Sequence, residues 1–228
     1  MIDSEKTIYK EQFEFLKNNL LENTEVFEDY VNQSGAHPEG YRNFECGFAS
    51  KVIRRLQPNK ILDIGTNRLF IAGLSSKTKI DSIDVRKREM PFVEETTIIA
   101  DSINLSTIED ESYDFILSLN AIEHFGLGRY GDEFNINADV AAFSEWKRIL
   151  KKNGKIVFST TITRYKPSIA FNAHRIYTHG QIIEKFSDGM NIDMEEYFSN
   201  DFNKIVSASE ICNTSRKWDI YAGCWSKL

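Results

Sequence analysis

Glu123 and His124 stand side by side in Asn120-Ala-Ile-Glu-His-Phe-Gly-Leu-Gly-Arg-Tyr-Gly-Asp132, and Arg129, Tyr130 and Asp132 follow them among three glycines. An imidazole is the side chain best matched to taking a proton near neutral pH, and a neighbouring carboxylate orients it. A guanidinium adds a planar fork for a carboxylate or phosphate. A phenol adds a ring and a hydroxyl for a polyhydroxylated ligand. A second cluster, Phe171-Asn-Ala-His-Arg-Ile-Tyr177, gathers Asn172, His174, Arg175 and Tyr177. His124, Glu123 and His174 are therefore the candidate catalytic groups, with His174 the rival base. Arg129, Tyr130, Asn172, Arg175 and Tyr177 are the candidates for binding a substrate. Plainer roles compete with these: His124 bonded to backbone at a helix start, Arg129 paired with Asp132 or Asp139, and the second cluster a solvated helix start.

Three acids close three successive apolar runs: Asp63-Ile-Gly65-Thr66-Asn67, then Asp84-Val85, then Asp101-Ser102. A glycine turn lets backbone N–H groups approach a ligand. A carboxylate ending a second strand can accept both hydroxyls of a ribose, and an Asp-Ser pair can bond an adenine edge. Each acid taken alone serves equally well as a turn former or a helix cap. All three in order read as a nucleoside site. A pyrophosphate cradle is missing, because the first turn holds only Gly65 where G-x-G-x-x-G is needed and no G-x-x-x-x-G-K-[ST] occurs. An adenosine without phosphates fits better.

The runs that must position these groups are Lys60–Gly65, read as a strand buried on both faces, and Lys79–Val85, Glu95–Asp101, Tyr113–Asn120 and Gly154–Ile162, read as four further strands. Ala138–Gly154 has helical periodicity, basic residues in its last turn and Asn-Gly as a stop. Strands alternating with helices imply βαβ units and a mainly parallel, doubly wound sheet. Residues 203–212 and 218–227 read as two further strands, expected to pair antiparallel at one sheet edge. Residues 1–30 read as an amphipathic helix carrying Ile8, Phe13, Leu16 and Leu20. Residues 32–43 read as a loop, and Phe44–Pro58 as a second helix. His37 falls in that loop, and His179 reads as a turn residue.

The chain has 228 residues and is 41% hydrophobic, which suits one domain with an elaboration. A net charge of −6 argues against a general nucleic-acid binder, since phosphate affinity rests on Lys and Arg. Three cysteines without C-x-x-C spacing read as small buried groups in a reducing compartment. The charged start lacks a signal-peptide apolar core, and no run approaches a membrane span. A cytosolic protein is expected, and the sequence leaves its oligomeric state open.

In order, Ile61–Asn67, Ile80–Val85, Ile98–Leu105, Tyr113–His124 and Phe143–Thr160 resemble the motifs of class I S-adenosylmethionine-dependent methyltransferases, over about residues 58 to 162. Within that superfamily, Glu123–Asp132 with Phe171–Tyr177 is similar to a bacterial family of unknown function often found near genes for surface polysaccharides. The resemblance implies a Rossmann-like, doubly wound α/β fold with an antiparallel C-terminal edge hairpin and N-terminal helices. It divides the chain into a helical cap, residues 1–58, and one compact methyltransferase domain, residues 59–228. It implies S-adenosyl-L-methionine as cofactor and S-adenosyl-L-homocysteine as product. Asp63, Gly65 and Thr66, with Asn67 beside them, would flank the methionine part. Asp84 and Val85 would hold the ribose, Asp101 and Ser102 the adenine, and Asn120 would lie under the sulfonium. This chain departs from the superfamily at the first turn, where Gly65-Thr-Asn-Arg-Leu replaces G-x-G-x-G. No metal is expected, because Asn120 stands where an additional carboxylate would be needed near Glu123-His124. The expected activity is O-methylation of a small polar acceptor such as a sugar, nucleotide-sugar or polysaccharide terminus. Two rival expectations are a cofactor-binding module without turnover in a biosynthetic assembly, and a nicotinamide-dependent oxidoreductase or epimerase.

Overall fold

The five apolar runs become five parallel strands: β1 (Lys60–Ile64), β2 (Lys79–Asp84), β3 (Glu95–Ile99), β4 (Tyr113–Leu119) and β5 (Leu150–Ile162). Three later strands extend the same sheet: β8 (Met190–Ser199), β9 (Lys204–Val206) and β10 (Asp219–Lys227). The computed structural model describes residues 3–19 and 40–228. The expectations for Leu20, for His37 and for the loop before residue 40 lie outside the described residues. Strand order is β3-β2-β1-β4-β5-β10-β8-β9. β10 runs antiparallel to both β5 and β8, and β9 pairs antiparallel with β8. The antiparallel edge is therefore the β8–β9 hairpin. β10 does not pair with residues 203–212, as the sequence suggests; it sits inside the sheet.

Alternation along the strands feeds two cores. Leu62, Ile116, Ile156 and Phe158 face α4 (Ala138–Ile149) and α5 (His179–Phe186), packing with Phe143, Trp146, Phe186 and Trp225. Ile61, Phe115, Leu117 and Val157 face α2 (Tyr41–Leu56) and α3 (Arg68–Ser75), packing with Phe48, Val52 and Ile71. Each such fully buried side chain contributes about 1.5–3 kcal/mol. A short antiparallel ribbon, β6 (Ser168–Ala170) and β7 (His174–Ile176), follows β5.

The chain divides into Met1–Pro38 and Glu39–Leu228. α2 thus lies in the same unit as the sheet, although the sequence groups residues 1–58 together. In the first unit α1 (Asp3–Asn19) leaves Ile8, Phe15 and Leu16 exposed. Helix α4 ends at Ile149, five residues before the Gly154 end of the helical run, since Leu150–Gly154 already belong to β5. His179 is the first residue of α5, behind the Thr178 cap. Cys46, Cys212 and Cys224 are free, the first two only half-buried. Among the described residues no helix is long and apolar enough to cross a membrane.

Candidate functional site

Strand order reverses at β1, with β2 and β3 on one side and β4 and β5 on the other, and open parallel sheets leave a crevice at that switch. A cleft of about 160 Å³ opens there, lined by Gly65, Thr66, Asp84, Val85, Asp101, Ser102, Asn120, His124 and Tyr130 among others. A single water needs on the order of 10–15 Å³, so the space suits a small molecule.

Its floor is the turn after β1. Gly65 has φ +75°, and a Cβ there would lie 2.8 Å from the Cβ of Ala121. The turns after β1 and β4 therefore touch only because this residue is glycine. Asp63 is fully buried; its Oδ1 accepts the Thr66 N–H at 3.1 Å, while Oδ2 has no partner. Burial pushes its carboxyl up to about 6. Thr66 Oγ1 in turn accepts the Leu119 N–H at 3.3 Å. Asn67 does other work: its side chain caps α3 by accepting the Leu69 N–H at 3.0 Å, away from the cleft.

Asp84 ends β2 with both oxygens engaged. Arg86 reaches Oδ1 through its Nε at 3.0 Å and Oδ2 through its Nη2 at 3.1 Å, with Arg88 at 3.4 Å. Burial works against the charged form, but these arginines outweigh it and hold the carboxyl below its ordinary range. The Arg86 guanidinium also lies 4.7 Å from the Tyr130 ring centroid, spanning the cleft mouth. Asp101 closes its own turn by accepting the Ile103 N–H, and Ser102 Oγ accepts the Trp146 indole N–H at 2.7 Å. Arg68 lines the cleft but is committed to Glu95 through both Nη atoms.

After β4 the chain enters a 3-10 turn, Ile122–His124. Asn120 has φ +47°, which asparagine tolerates better than most residues. Its Nδ2 donates to the buried carboxylate of Glu45 on α2, and its Oδ1 is buried without a partner. Glu123 is 1% exposed and turns inward from the cleft, accepting from Thr160 Oγ1 at 3.2 Å. Burial pushes its carboxyl up to about 8. Nδ1 of His124 bonds the Ala173 carbonyl, so Nδ1 carries the proton and Nε2 keeps its lone pair. That Nε2 lies 3.8 Å from Glu123 Oε1. Burial lowers the imidazole to about 4, leaving it neutral at physiological pH. His174 stands edge-to-face with His124, ring centroids 6.2 Å apart, and also against Trp218. Its imidazole is likewise held below the ordinary range, chiefly by burial.

The remaining sequence candidates separate. Tyr130 faces the cleft. Arg129 reaches neither Asp132 nor Asp139; its Nη1 lies 3.4 Å from the Ala173 carbonyl. Asn172 sits exposed between β6 and β7 with φ +54°. Arg175 and Tyr177 do not face the cleft. Arg175 is buried and donates to the carbonyls of Phe125 at 2.6 Å, Ile136 at 3.0 Å and Asn135 at 3.3 Å, pinning both ends of the 125–137 loop. Tyr177 donates to Asp139 at 3.1 Å inside the core. Sequence reasoning missed Arg68, Arg86, Arg88 and Glu45. Arg86 and Arg88 carried a faint signal in the basic run after Asp84; Arg68 and Glu45 carried none.

The model of the family described as "Caenorhabditis protein of unknown function, DUF268" matches residues 60–192. No curated protein sequence matches the chain. Among solved structures, the chain is similar to the 1,6-didemethyltoxoflavin-N1-methyltransferase of Burkholderia thailandensis, solved with 1,6-didemethyltoxoflavin and S-adenosylhomocysteine. The TM-score is 0.60 at 11% identity, over 83% of this chain and 79% of that one. It is similar to the [4+2]-cyclase SpnF, with TM-score 0.58, 12% identity and 80% of each chain covered. It is also similar to the N-methyltransferase NodS of Bradyrhizobium japonicum in complex with S-adenosyl-L-homocysteine, with TM-score 0.55, 14% identity, and 82% and 86% covered. The Rossmann-like α/β fold is common to all of them.

Proposed function

The chain belongs to the family described as "Caenorhabditis protein of unknown function, DUF268", and we propose that it is an S-adenosylmethionine-dependent methyltransferase acting on oxygen of a small polar acceptor such as a sugar, nucleotide-sugar or polysaccharide terminus. The observation that carries this reading is the set of acceptor atoms around the cleft. Asn120 Oδ1, on a residue that lines the cleft, and Asp63 Oδ2, two residues before the Gly65 turn, are buried and unpaired, and Asp84, on the cleft wall, would meet ribose hydroxyls by exchanging contacts with Arg86 or Arg88. A ligand bearing an ammonium group, vicinal ribose hydroxyls and a sulfonium offers donors or positive charge to acceptors of this kind. The cofactor supplies an electrophilic methyl group.

Asp63, Gly65 and Thr66 would hold its amino-acid end, Asp84 its ribose, Ala100 to Ser102 its adenine, and Asn120 would lie beside the sulfonium. Such a displacement asks the protein mainly to align the acceptor and exclude water. His124, neutral and with a free Nε2, is competent to take the hydroxyl proton; His174 is the neighbouring alternative. Tyr130, which lines the cleft, and Arg129 next to it would meet an anionic or polyhydroxylated acceptor. The reading puts the reaction in the cytosol on a small-molecule or glycan acceptor, with nucleic acid disfavoured by the net charge of −6.

A second reading, a cofactor-binding module without turnover, is favoured by the two-point grip of Arg86 on the ribose-binding acid. Calorimetry with S-adenosylmethionine and S-adenosylhomocysteine, paired with radiolabelled methyl transfer to a panel of sugars and nucleotide-sugars, separates the two. Binding with transfer supports the enzyme, and binding without transfer across the panel supports the module. Absence of heat with both ligands sinks both readings.

A further inference from the structure

We propose that Glu45, on α2, is a positioning residue that fixes the Asn120 amide with its oxygen toward the cleft, so that the site distinguishes a sulfonium ligand from a neutral thioether. This inference rests on the reading of the cleft as a site for S-adenosylmethionine. It adds a residue outside the 60–192 region that defines the family.

Glu45 is completely buried, an unusual place for a carboxylate unless its partners are specific. Oε1 takes Nη1 of Arg42 at 2.7 Å. Oε2 takes the Ser159 hydroxyl at 2.7 Å and Nδ2 of Asn120. Ser159 also anchors the Asn120 backbone, whose N–H lies 2.9 Å from Ser159 Oγ and 3.1 Å from its carbonyl. One serine and one carboxylate thus hold the asparagine from two sides.

Burial raises the Glu45 carboxyl above its ordinary range, while Arg42 at 2.7 Å, Ser159 and Asn120 favour the charged form, in which it only accepts hydrogen bonds. The NH₂ end of the Asn120 amide must therefore face Glu45, because the reverse flip would set oxygen against oxygen. Oδ1 is left pointing away from Glu45, buried and without a partner, on a residue that lines the cleft next to Gly65, Ala121 and His124. A buried amide oxygen left unpaired is costly, so the site is built for a ligand that supplies positive charge or a donor there. A sulfonium with its polarised methyl hydrogens does so. The thioether left after transfer has lost both the charge and the methyl, and the same oxygen gains little from it. Through Asn120, Glu45 would favour the loaded methyl donor over the spent one and ease product release.

Glu45→Gln tests this at nearly constant shape. A glutamine amide can donate to Oδ1, which allows the Asn120 amide to flip and present NH₂ to the cleft. By calorimetry, affinity for S-adenosylmethionine should fall roughly fivefold to tenfold, while that for S-adenosylhomocysteine changes less than about twofold. The double variant Glu45→Gln with Asn120→Asp reverses the polarity of the contact but again turns an oxygen toward the cleft, so it should restore the preference for the sulfonium. Thermal melts establish that each variant folds. If Glu45→Gln does not fold, the double variant alone decides, by keeping or losing the preference. Equal weakening of both ligands, or failure of the double variant to restore the preference, overturns the inference. A wild-type protein that binds neither ligand overturns instead the functional reading beneath it.

Discussion

Replacing Glu123 by Gln keeps the shape of the side chain and its hydrogen bond from Thr160 but removes its ability to ionise. Glu123 is 1% exposed and, among the described residues, has no cation within ion-pair distance except His124 at 3.8 Å, which is itself held neutral. Burial raises its carboxyl from 4.5 to about 8. Between pH 5 and 8 the unfolded chain is ionised at this position while the folded chain keeps the proton. The native state therefore binds more protons than the unfolded state, and stability falls as pH rises through that window. Each pH unit there removes about 1.36 kcal/mol, so the three units together amount to roughly 3–4 kcal/mol. Glutamine carries no such penalty. Urea denaturation of both proteins at pH 5, 6.5 and 8 should show the variant gaining roughly 3 kcal/mol on the wild type across the series. A gap that stays constant with pH would mean that Glu123 is ionised within the fold, and the account of an inward, protonated carboxyl beside His124 would be wrong.

Arg175→Met leaves the carbonyls of Phe125, Asn135 and Ile136 without their donor. It should cost about 3 kcal/mol in chemical denaturation, with protease sensitivity appearing within residues 125–137. Gly126 has φ +69°, and a Cβ there would sit 2.2 Å from the Asn135 carbonyl oxygen. Gly126→Ala should therefore lower stability by at least about 2 kcal/mol in the same assay. His124→Ala and His174→Ala should both keep S-adenosylhomocysteine binding within about threefold, while only the variant lacking the base loses turnover, by on the order of 10²–10⁴. Near-normal turnover in both would remove histidine from the chemistry.

The parallel half of the sheet was legible because Lys60–Ile64, Lys79–Asp84 and Tyr113–Leu119 are apolar runs long enough to be strands and too short to be anything else. The place of Asp84, Asp101 and Asn120 on the cleft lining was legible because all three follow or end strands around a change in strand order. β8 was not legible. Met190–Ser199 carries Asp193, Glu195 and Glu196, whose charges are met by Lys155, His179 and Lys51 from distant elements. Lys151 and Lys152 read as the basic last turn of a helix, but Asn153 at φ +62° and Gly154 bring β5 into the sheet through an irregular register opposite β4. Arg175 and Tyr177 misled for a related reason. Polar groups spaced closely along a sequence suggest recognition, yet here they satisfy buried carbonyls and Asp139, partners far from them in the chain. Glu45 was invisible, since an acid in Phe44-Glu45-Cys46 on an amphipathic helix gives no sign that it reaches across to a residue after β4.

The placement of β10 between β5 and β8 bears on the order in which the molecule assembles. A growing chain that has emerged as far as residue 210 holds β8 and β9 but no strand to hydrogen-bond them to β5, since both ladders that would do so run through residues 219–227. Until residues 219–227 leave the ribosome, β5 and β8 each expose an unpaired backbone edge, the kind of surface that recruits foreign chains. Final closure is thus a single insertion of one strand into a waiting slot, zipping two ladders at once. A chain truncated just before Asp219 would hold two separated sheets where residues 40–228 form one main sheet.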